Sequence, residues 1–311
     1  MVKMARVRIK DIFAGSRPWS LPMFIATYLI GIFLGMTYFK GLNVYMVMLI
    51  ILGAIGELFL HMMTNIINDY YDYIKKIDKL NNIQEKRFHL ALHTELKPEE
   101  VKNIALILGS IAIFIGIIIA ILGRPLALIL GLIGFLIGIE YSAPPLYLKY
   151  KALGDFSVII SMLLLSLAGF YLYTGRISII GSLIGLPIAI LIDDVLMANN
   201  IRDIKRDNIS NIKTLPILLG YNKSKYLYIY LIILAYIILG LLILFKILPI
   251  YSLIELLTLP QSTKIILTSL KDRFDFLDVL TAKLVLNFGI LLIISLIVSY
   301  IIEIQIPSFA L

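Results

Sequence analysis

Apolar runs of about twenty residues, each long enough to cross a bilayer, follow one another along almost the whole chain. They lie near 21–39, 44–67, 102–122, 126–142, 156–174, 177–198, 225–246, 248–268 and 285–304, each bounded by polar residues, glycine or proline. The eighth is the least regular, since "PIYSLIELLTLPQSTKIILTSL" contains Glu255 and two prolines. Of 311 residues, 60% are hydrophobic and 15% charged, whereas a soluble domain is about a quarter charged. No soluble core of this size buries so much apolar surface. The expected fold is an all-α polytopic membrane protein of about nine transmembrane helices, one domain over 1–311. The first run follows a basic start, as in a signal peptide. No small-residue cleavage site is evident, and the run reads as a retained span.

The basic residues give an orientation. With nine spans, 24 of the 28 Lys and Arg fall on the side of the N-terminus and the loops at 68–101, 143–155, 199–224 and 269–284. Only Lys40, Arg124, Arg176 and Lys246 fall on the other. By the positive-inside rule the first side is cytoplasmic, in a multi-pass protein of the cell membrane. The net charge of +8 is then a topology signal, helped by anionic headgroups, and implies membrane lipid rather than nucleic acid as partner. The chain has no cysteine, which excludes disulfides, thiolate nucleophiles and cysteine metal sites. His61, His89 and His93 form no metal-ligand spacing.

Against this background the stretch "NIINDYYDYIKKID" at 65–78 is anomalous. Asn65, Asn68 and Asp72 are spaced i, i+3, i+7 and share one helical stripe, with Asp69 and Asp78 beside them. After the sixth run, Asn200, Asp203 and Asp207 repeat that spacing in "NNIRDIKRD". Carboxylates at a membrane boundary are costly, and at a helix C-terminus they oppose the macrodipole. Like charges so gathered need a cation. Carboxylate and amide oxygens without His or Cys favour a hard ion, Mg²⁺ above others, and Mg²⁺ commonly shares its coordination with phosphate. Lys75, Lys76, Arg202, Lys205, Arg206 and Lys213 flank the clusters, and Arg17, Arg87, Lys149 and Lys151 come from other loops on the same side. Together they suit an anion that the metal leaves incompletely neutralised. A diphosphate at the mouth of an apolar bundle implies a lipid diphosphate substrate.

These residues resemble the UbiA superfamily of intramembrane prenyltransferases, and within it the 1,4-dihydroxy-2-naphthoate polyprenyltransferases. "RPWSLP" at 17–22 resembles their RPxTLP. The first cluster resembles N-x-x-NDYxDYxxGxD, with Asp78 six residues after Asp72. "YSAPPLYLKYKALGD" at 141–155 resembles YSxPPLxLxYxGLGE, and "LMANNIRDIKRD" continuing into "NIKTLPILLG" resembles LxxNNxRDxxxDxxxGKxTLxxxLG. Four positions depart: Lys76 stands where Gly is common, His61 where Gln is common, Asp193 and Asp194 fall inside the sixth run, and the 81–98 loop is degenerate.

The resemblance implies a UbiA-like bundle with a cytoplasmic cap, formed by 73–100, over a central cavity. It implies Mg²⁺ held by Asn68, Asp72 and Asp78 of the first motif and Asp203 and Asp207 of the second. Arg17, Arg87, Lys149 and Lys213 would contact the diphosphate of a polyprenyl diphosphate. Asp72 and Asp203 would be central to catalysis, with Asp69 either supporting the metal ligands from behind or acting as an acceptor-side base. Tyr70, Tyr71, Tyr73 and Tyr141 are candidates to face an allylic cation. The implied acceptor is an aromatic such as 1,4-dihydroxy-2-naphthoate, prenylated with loss of CO₂ in menaquinone biosynthesis. Alternatives are another quinone head group, geranylgeranylglyceryl phosphate, or, outside enzymes, a transporter whose acids line a path.

Overall fold

A computed structural model describes residues 8–77, 88–209 and 212–302. Two of the expected site residues, Asp78 and Arg87, lie outside them. So does the middle of the expected cap, residues 78–87 of 73–100. The described residues fold into helices and short 3-10 segments, and their contacts divide the chain into two compact units.

The first unit comprises residues up to Leu21 together with Leu52–Lys151. It holds α1 (Ile9–Gly15), most of α3 (Val44–Ile74), α4 (Leu90–His93), α5 (Pro98–Ile121) and α6 (Pro125–Glu140), with 3-10 turns at Pro18–Ser20 and Leu148–Tyr150. Its core joins Met63, Ile66, Ile67 and Tyr70 of α3 to Leu90 of α4 and to Val101, Ala105 and Leu108 of α5. The α3 members are spaced i, i+3, i+4, i+7. At 100° per residue, His61, Asn65, Asn68 and Asp72 fall about 180° around the helix from them. Burying one face of α3 in its own unit therefore aims the polar stripe away from that core. The helix ends in a Schellman turn, in which Ile77 N–H bonds the Asp72 carbonyl at 2.9 Å and Lys76 N–H the Tyr73 carbonyl at 2.9 Å. Lys76 takes φ +56° there. A left-handed residue at this position explains why glycine suits it and why lysine is a strained substitute.

The second unit comprises Pro22–Ile51 and the chain from Ala152. It holds the rest of α2 (Leu21–Tyr38), the start of α3, α7 (Gly154–Thr174), α8 (Ile179–Leu183), α9 (Leu186–Arg202), α10 (Ile204–Ile209), α11 (Leu215–Leu219), α12 (Tyr221–Leu244), a 3-10 segment Ile250–Thr258, α13 (Leu259–Leu270) and α14 (Leu277–Ile301). Helix α9 is central, packed by α7, α12 and α14. Helix α9 is far more buried than α12, which keeps an exposed apolar face (Tyr226, Tyr230, Ile233, Ile237, Leu241). Helices α2 and α7 cross at two glycines. A Cβ on Gly31 would lie 1.9 Å from the Ser166 carbonyl oxygen, and one on Gly169 2.2 Å from that of Tyr28. Backbone-to-backbone approach of this kind needs a residue without a side chain.

Among the described residues seven helical segments are long and apolar enough to cross a membrane: Pro18–Tyr38, Val44–Ile74, Pro98–Ile121, Gly154–Thr174, Ile179–Arg202, Tyr221–Leu244 and Leu277–Ile301. The protein is a multi-pass membrane protein. Two of the nine expected spans differ. The run at 126–142 is a shorter apolar helix of 16 residues, and the run at 248–268 is divided between the 3-10 segment and α13.

Candidate active site

Within the first unit, Lys149 Nζ sits in a nest of oxygens, 3.0 Å from Asn68 Oδ1 and 2.9 and 2.6 Å from the two Asp72 carboxylate oxygens. The Ser142 hydroxyl donates to Asn68 Oδ1 at 2.7 Å, and the Tyr150 hydroxyl to Asp72 Oδ1 at 2.7 Å. Asn68 and Asp72 are almost completely buried. The loop after α6 thus folds back onto the α3 stripe, closed by a 2.8 Å bond from Lys149 N–H to the Tyr141 carbonyl. Asn68, Asp72 and Lys149, all expected from sequence, are brought together. Ser142 and Tyr150 were not singled out, although both lie in the "YSAPPLYLKYK" stretch.

Arg17 and Asp69 form a second pair, Arg17 Nη2 to Asp69 Oδ1 at 2.8 Å, with the carboxylate fully buried. Arg17 adopts φ +56°, held by Ser20 Oγ, which donates to the Arg17 carbonyl at 2.8 Å. Asn65 bonds the Ser16 carbonyl at 3.1 Å and His61 Nε2 at 3.0 Å, so this member of the stripe ties the N-terminal corner to α3. The expectation that Asp69 acts as a base meets a carboxylate paired with a guanidinium.

Of the four tyrosines expected to face a cation, Tyr70 and Tyr71 pack together, and Lys102 Nζ lies 5.8 Å from the Tyr70 centroid. Tyr70 donates its hydroxyl to Glu99 at 3.0 Å, and its ring meets that of Tyr71 edge-on. A second ammonium lies over two other rings: Lys75 Nζ is 3.9 Å from the Tyr147 centroid and 4.4 Å from that of Tyr150.

Within the second unit the expected stripe of Asn200, Asp203 and Asp207 is broken. Helix α9 ends at Arg202, Asp203 is its C-cap, and Asp207 lies in the separate α10. The bend is held by arginines. Arg202 bonds Asp203 at 3.0 Å and Asp278 at 2.8 Å, and it also donates to Asn199. Arg206 bridges Asp203 at 3.0 Å and Asp207 at 3.4 Å. Lys213 is exposed. Asp193 and Asp194 are buried in α9, and Asp155 is buried at the start of α7.

Among the described residues no group of three or more His, Cys, Asp or Glu gathers to hold a metal. The Asn68–Asp72 nest nevertheless fits a hard cation by its donor chemistry. Three oxygens already surround an ammonium, and they would supply part of a coordination shell completed by phosphate oxygens rather than a full protein cage.

The sequence pattern of the UbiA prenyltransferase family matches residues 20–273. The chain belongs to the UbiA prenyltransferase family. It is accordingly a prenyl-transferring enzyme. It is 30% identical over 292 residues to the 1,4-dihydroxy-2-naphthoate octaprenyltransferase of Bacillus subtilis (strain 168), covering 92% of this chain and 91% of the relative. Solved UbiA-family structures share the fold. A UbiA homologue from Archaeoglobus fulgidus bound to GPP and Mg²⁺ matches with a TM-score of 0.63 at 16% identity, over 91% of this chain and 99% of that one. A digeranylgeranylglyceryl phosphate synthase matches with a TM-score of 0.63 at 22% identity, over 94% and 98%.

Proposed function

We propose that this UbiA-family enzyme transfers a polyprenyl group from polyprenyl diphosphate to 1,4-dihydroxy-2-naphthoate, releasing CO₂, in menaquinone biosynthesis. The observation that carries this reading is the near-full-length identity to an enzyme of that name from Bacillus subtilis. It agrees with the six-residue interval from Asp72 to Asp78 and with the "NNIRD" stretch. In this reading the N-terminus and the basic loops face the cytoplasm of the cell in whose membrane the enzyme lies.

Mg²⁺, held by Asn68 and Asp72 of the first motif and by Asp203 and Asp207 of the second, with Asp78 a further candidate, would neutralise the departing diphosphate. Arg17, Arg87, Lys149 and Lys213 would contact its oxygens. Lys149 already rests against the Asp72 carboxylate and has only to exchange one anionic partner for another. Asp69 is better read as holding Arg17 in place than as a base. When a naphthoate ring carbon attacks the allylic carbon, the C–O bond to diphosphate breaks and a C–C bond forms. The electron pair of the breaking C–CO₂⁻ bond then restores aromaticity, so no proton has to be removed from that carbon.

Purified enzyme, labelled polyprenyl diphosphate and a panel of acceptors test this. The expected result is prenylation of 1,4-dihydroxy-2-naphthoate with CO₂ release, lost with EDTA and restored by Mg²⁺. Prenylation of geranylgeranylglyceryl phosphate alone, or of another quinone head group alone, would overturn the acceptor. Full turnover in EDTA would overturn the metal.

A further inference from the structure

The second unit contains a buried carboxyl group that prenyl transfer does not use. Glu255 lies in the 3-10 segment Ile250–Thr258 and is fully buried. A 3-10 run of nine residues is unusually long, and in this helix residues three apart eclipse one another. Ser252 and Glu255 therefore line up on one edge. Ser295 and Ser299, four apart on α14, share a face, and Ser295 meets the 3-10 edge. Ser252 Oγ and Ser295 Oγ are 2.9 Å apart, and Ser295 Oγ is 3.5 Å from Glu255 Oε1. All four residues are at most 1% exposed.

Proton placement makes this arrangement informative. Ser295 donates its hydroxyl hydrogen to the Leu292 carbonyl at 2.8 Å. That one hydrogen is shared with Glu255 Oε1, to which Ser295 is a long donor at 3.5 Å, so the carboxyl group has no close side-chain donor. Glu255 Oε2 and Ser299 Oγ have no hydrogen-bond partner among the described residues. Among the described residues no Lys, Arg or His forms an ion pair or hydrogen bond with Glu255, whose side chain meets Ser295 Oγ at 3.5 Å. On the α12 side, Tyr236 joins the same network through the Thr258 hydroxyl, which donates to the Glu255 carbonyl at 2.6 Å.

A buried carboxyl group either takes up a proton or needs a compensating positive charge. One unit of negative charge is balanced by a monovalent ion, whereas a divalent ion would leave a net positive charge buried. Carboxylate and hydroxyl oxygens with no nitrogen or sulfur donors suit a hard cation. We propose that Glu255, Ser252, Ser295 and Ser299 form a binding site for a monovalent alkali cation, Na⁺ being the type, which fastens the 3-10 segment to α14.

The full-length protein in detergent is unfolded thermally in choline chloride, with NaCl or KCl replacing choline at constant ionic strength and alkaline pH. The expected result is a saturable rise in unfolding temperature with the alkali cation, absent in Glu255→Gln and displaced to higher concentration in Ser299→Ala. An equal response in wild type and Glu255→Gln overturns the proposal. So does a wild type whose stability follows pH and ignores the cation, because the carboxyl then simply carries a proton. Should Glu255→Gln fail to fold, binding of radioactive Na⁺ to the wild type decides. Saturation at one ion per chain supports the site, and uptake that never saturates overturns it.

Discussion

Asp72 is where the sequence was most and least informative. Its spacing from Asn65 and Asn68 marks the stripe without any structure. The residues that complete its surroundings, Lys149 and Tyr150, come from more than seventy positions further on. Of these, Lys149 was singled out through its place in a motif, but nothing in spacing distinguishes Tyr150 from the other tyrosines of a membrane interface, where that residue is enriched anyway. Its hydroxyl donates to a buried carboxylate, and a hydrogen bond to a charged group contributes about 1.5–3 kcal/mol. Tyr150→Phe is expected to lower kcat/KM roughly tenfold, because Asp72 loses the hydroxyl that orients it, and to lower the unfolding temperature by a few degrees, because a buried carboxylate loses a donor. Asp72→Ala should abolish turnover, because it removes a carboxylate proposed to hold the metal and leaves the half-buried Lys149 against Asn68 without its anion. Steady-state kinetics beside thermal unfolding of each variant checks both. Unchanged kcat/KM in Tyr150→Phe would remove this tyrosine from the site.

At the scale of elements, helix existence was legible because apolar run length alone decides it, but helix interruption was not. The sequence spacing of Asn200, Asp203 and Asp207 suggests an unbroken stripe. The chain instead ends α9 at Arg202, where Arg202 and Arg206 grip the Asp203 carboxylate across the break. The competing side-chain pairs lie within the motif itself, and a periodicity count does not weigh them. The end of α3 allows a cleaner test. Lys76 occupies a left-handed C′ position, and a non-glycine residue there costs about 1 kcal/mol. Lys76→Gly is therefore expected to stabilise the protein by about that amount, raising the unfolding temperature by roughly 2–4 °C. A lower unfolding temperature would show that the Lys76 side chain contributes more than its backbone strain removes. At the α2–α7 crossing the sign reverses. Gly169→Ala drives a methyl group into the Tyr28 carbonyl, and overpacking of this kind costs about 1–3 kcal/mol. Fluorescence-detected size exclusion after heating should show earlier loss of the monodisperse species.

For the whole molecule, the charge asymmetry and the irregular segment after α12 bear on each other. If Ile250–Thr258 and α13 did not cross the membrane, Lys264, Lys271, Arg273 and Lys283 would fall on the side that otherwise holds only four basic residues, and the asymmetry would weaken. Length allows the crossing: nine 3-10 residues and twelve α residues reach roughly 36 Å, against about 30 Å of hydrocarbon. The positive-inside pattern thus argues for a ninth crossing that helix length and hydropathy alone did not identify. Because the chain has no cysteine, single substitutions report topology without background. In intact cells a membrane-impermeant maleimide is expected to label Cys introduced at Arg124 or Lys246, and to label Cys at Thr94 or Asp272 only after permeabilisation. Labelling at Asp272 in intact cells, with Thr94 still protected, would mean that the 3-10 segment and α13 return to the face from which they started. That would reverse the orientation of α14 and place four basic residues outside, against the orientation proposed from the positive-inside rule.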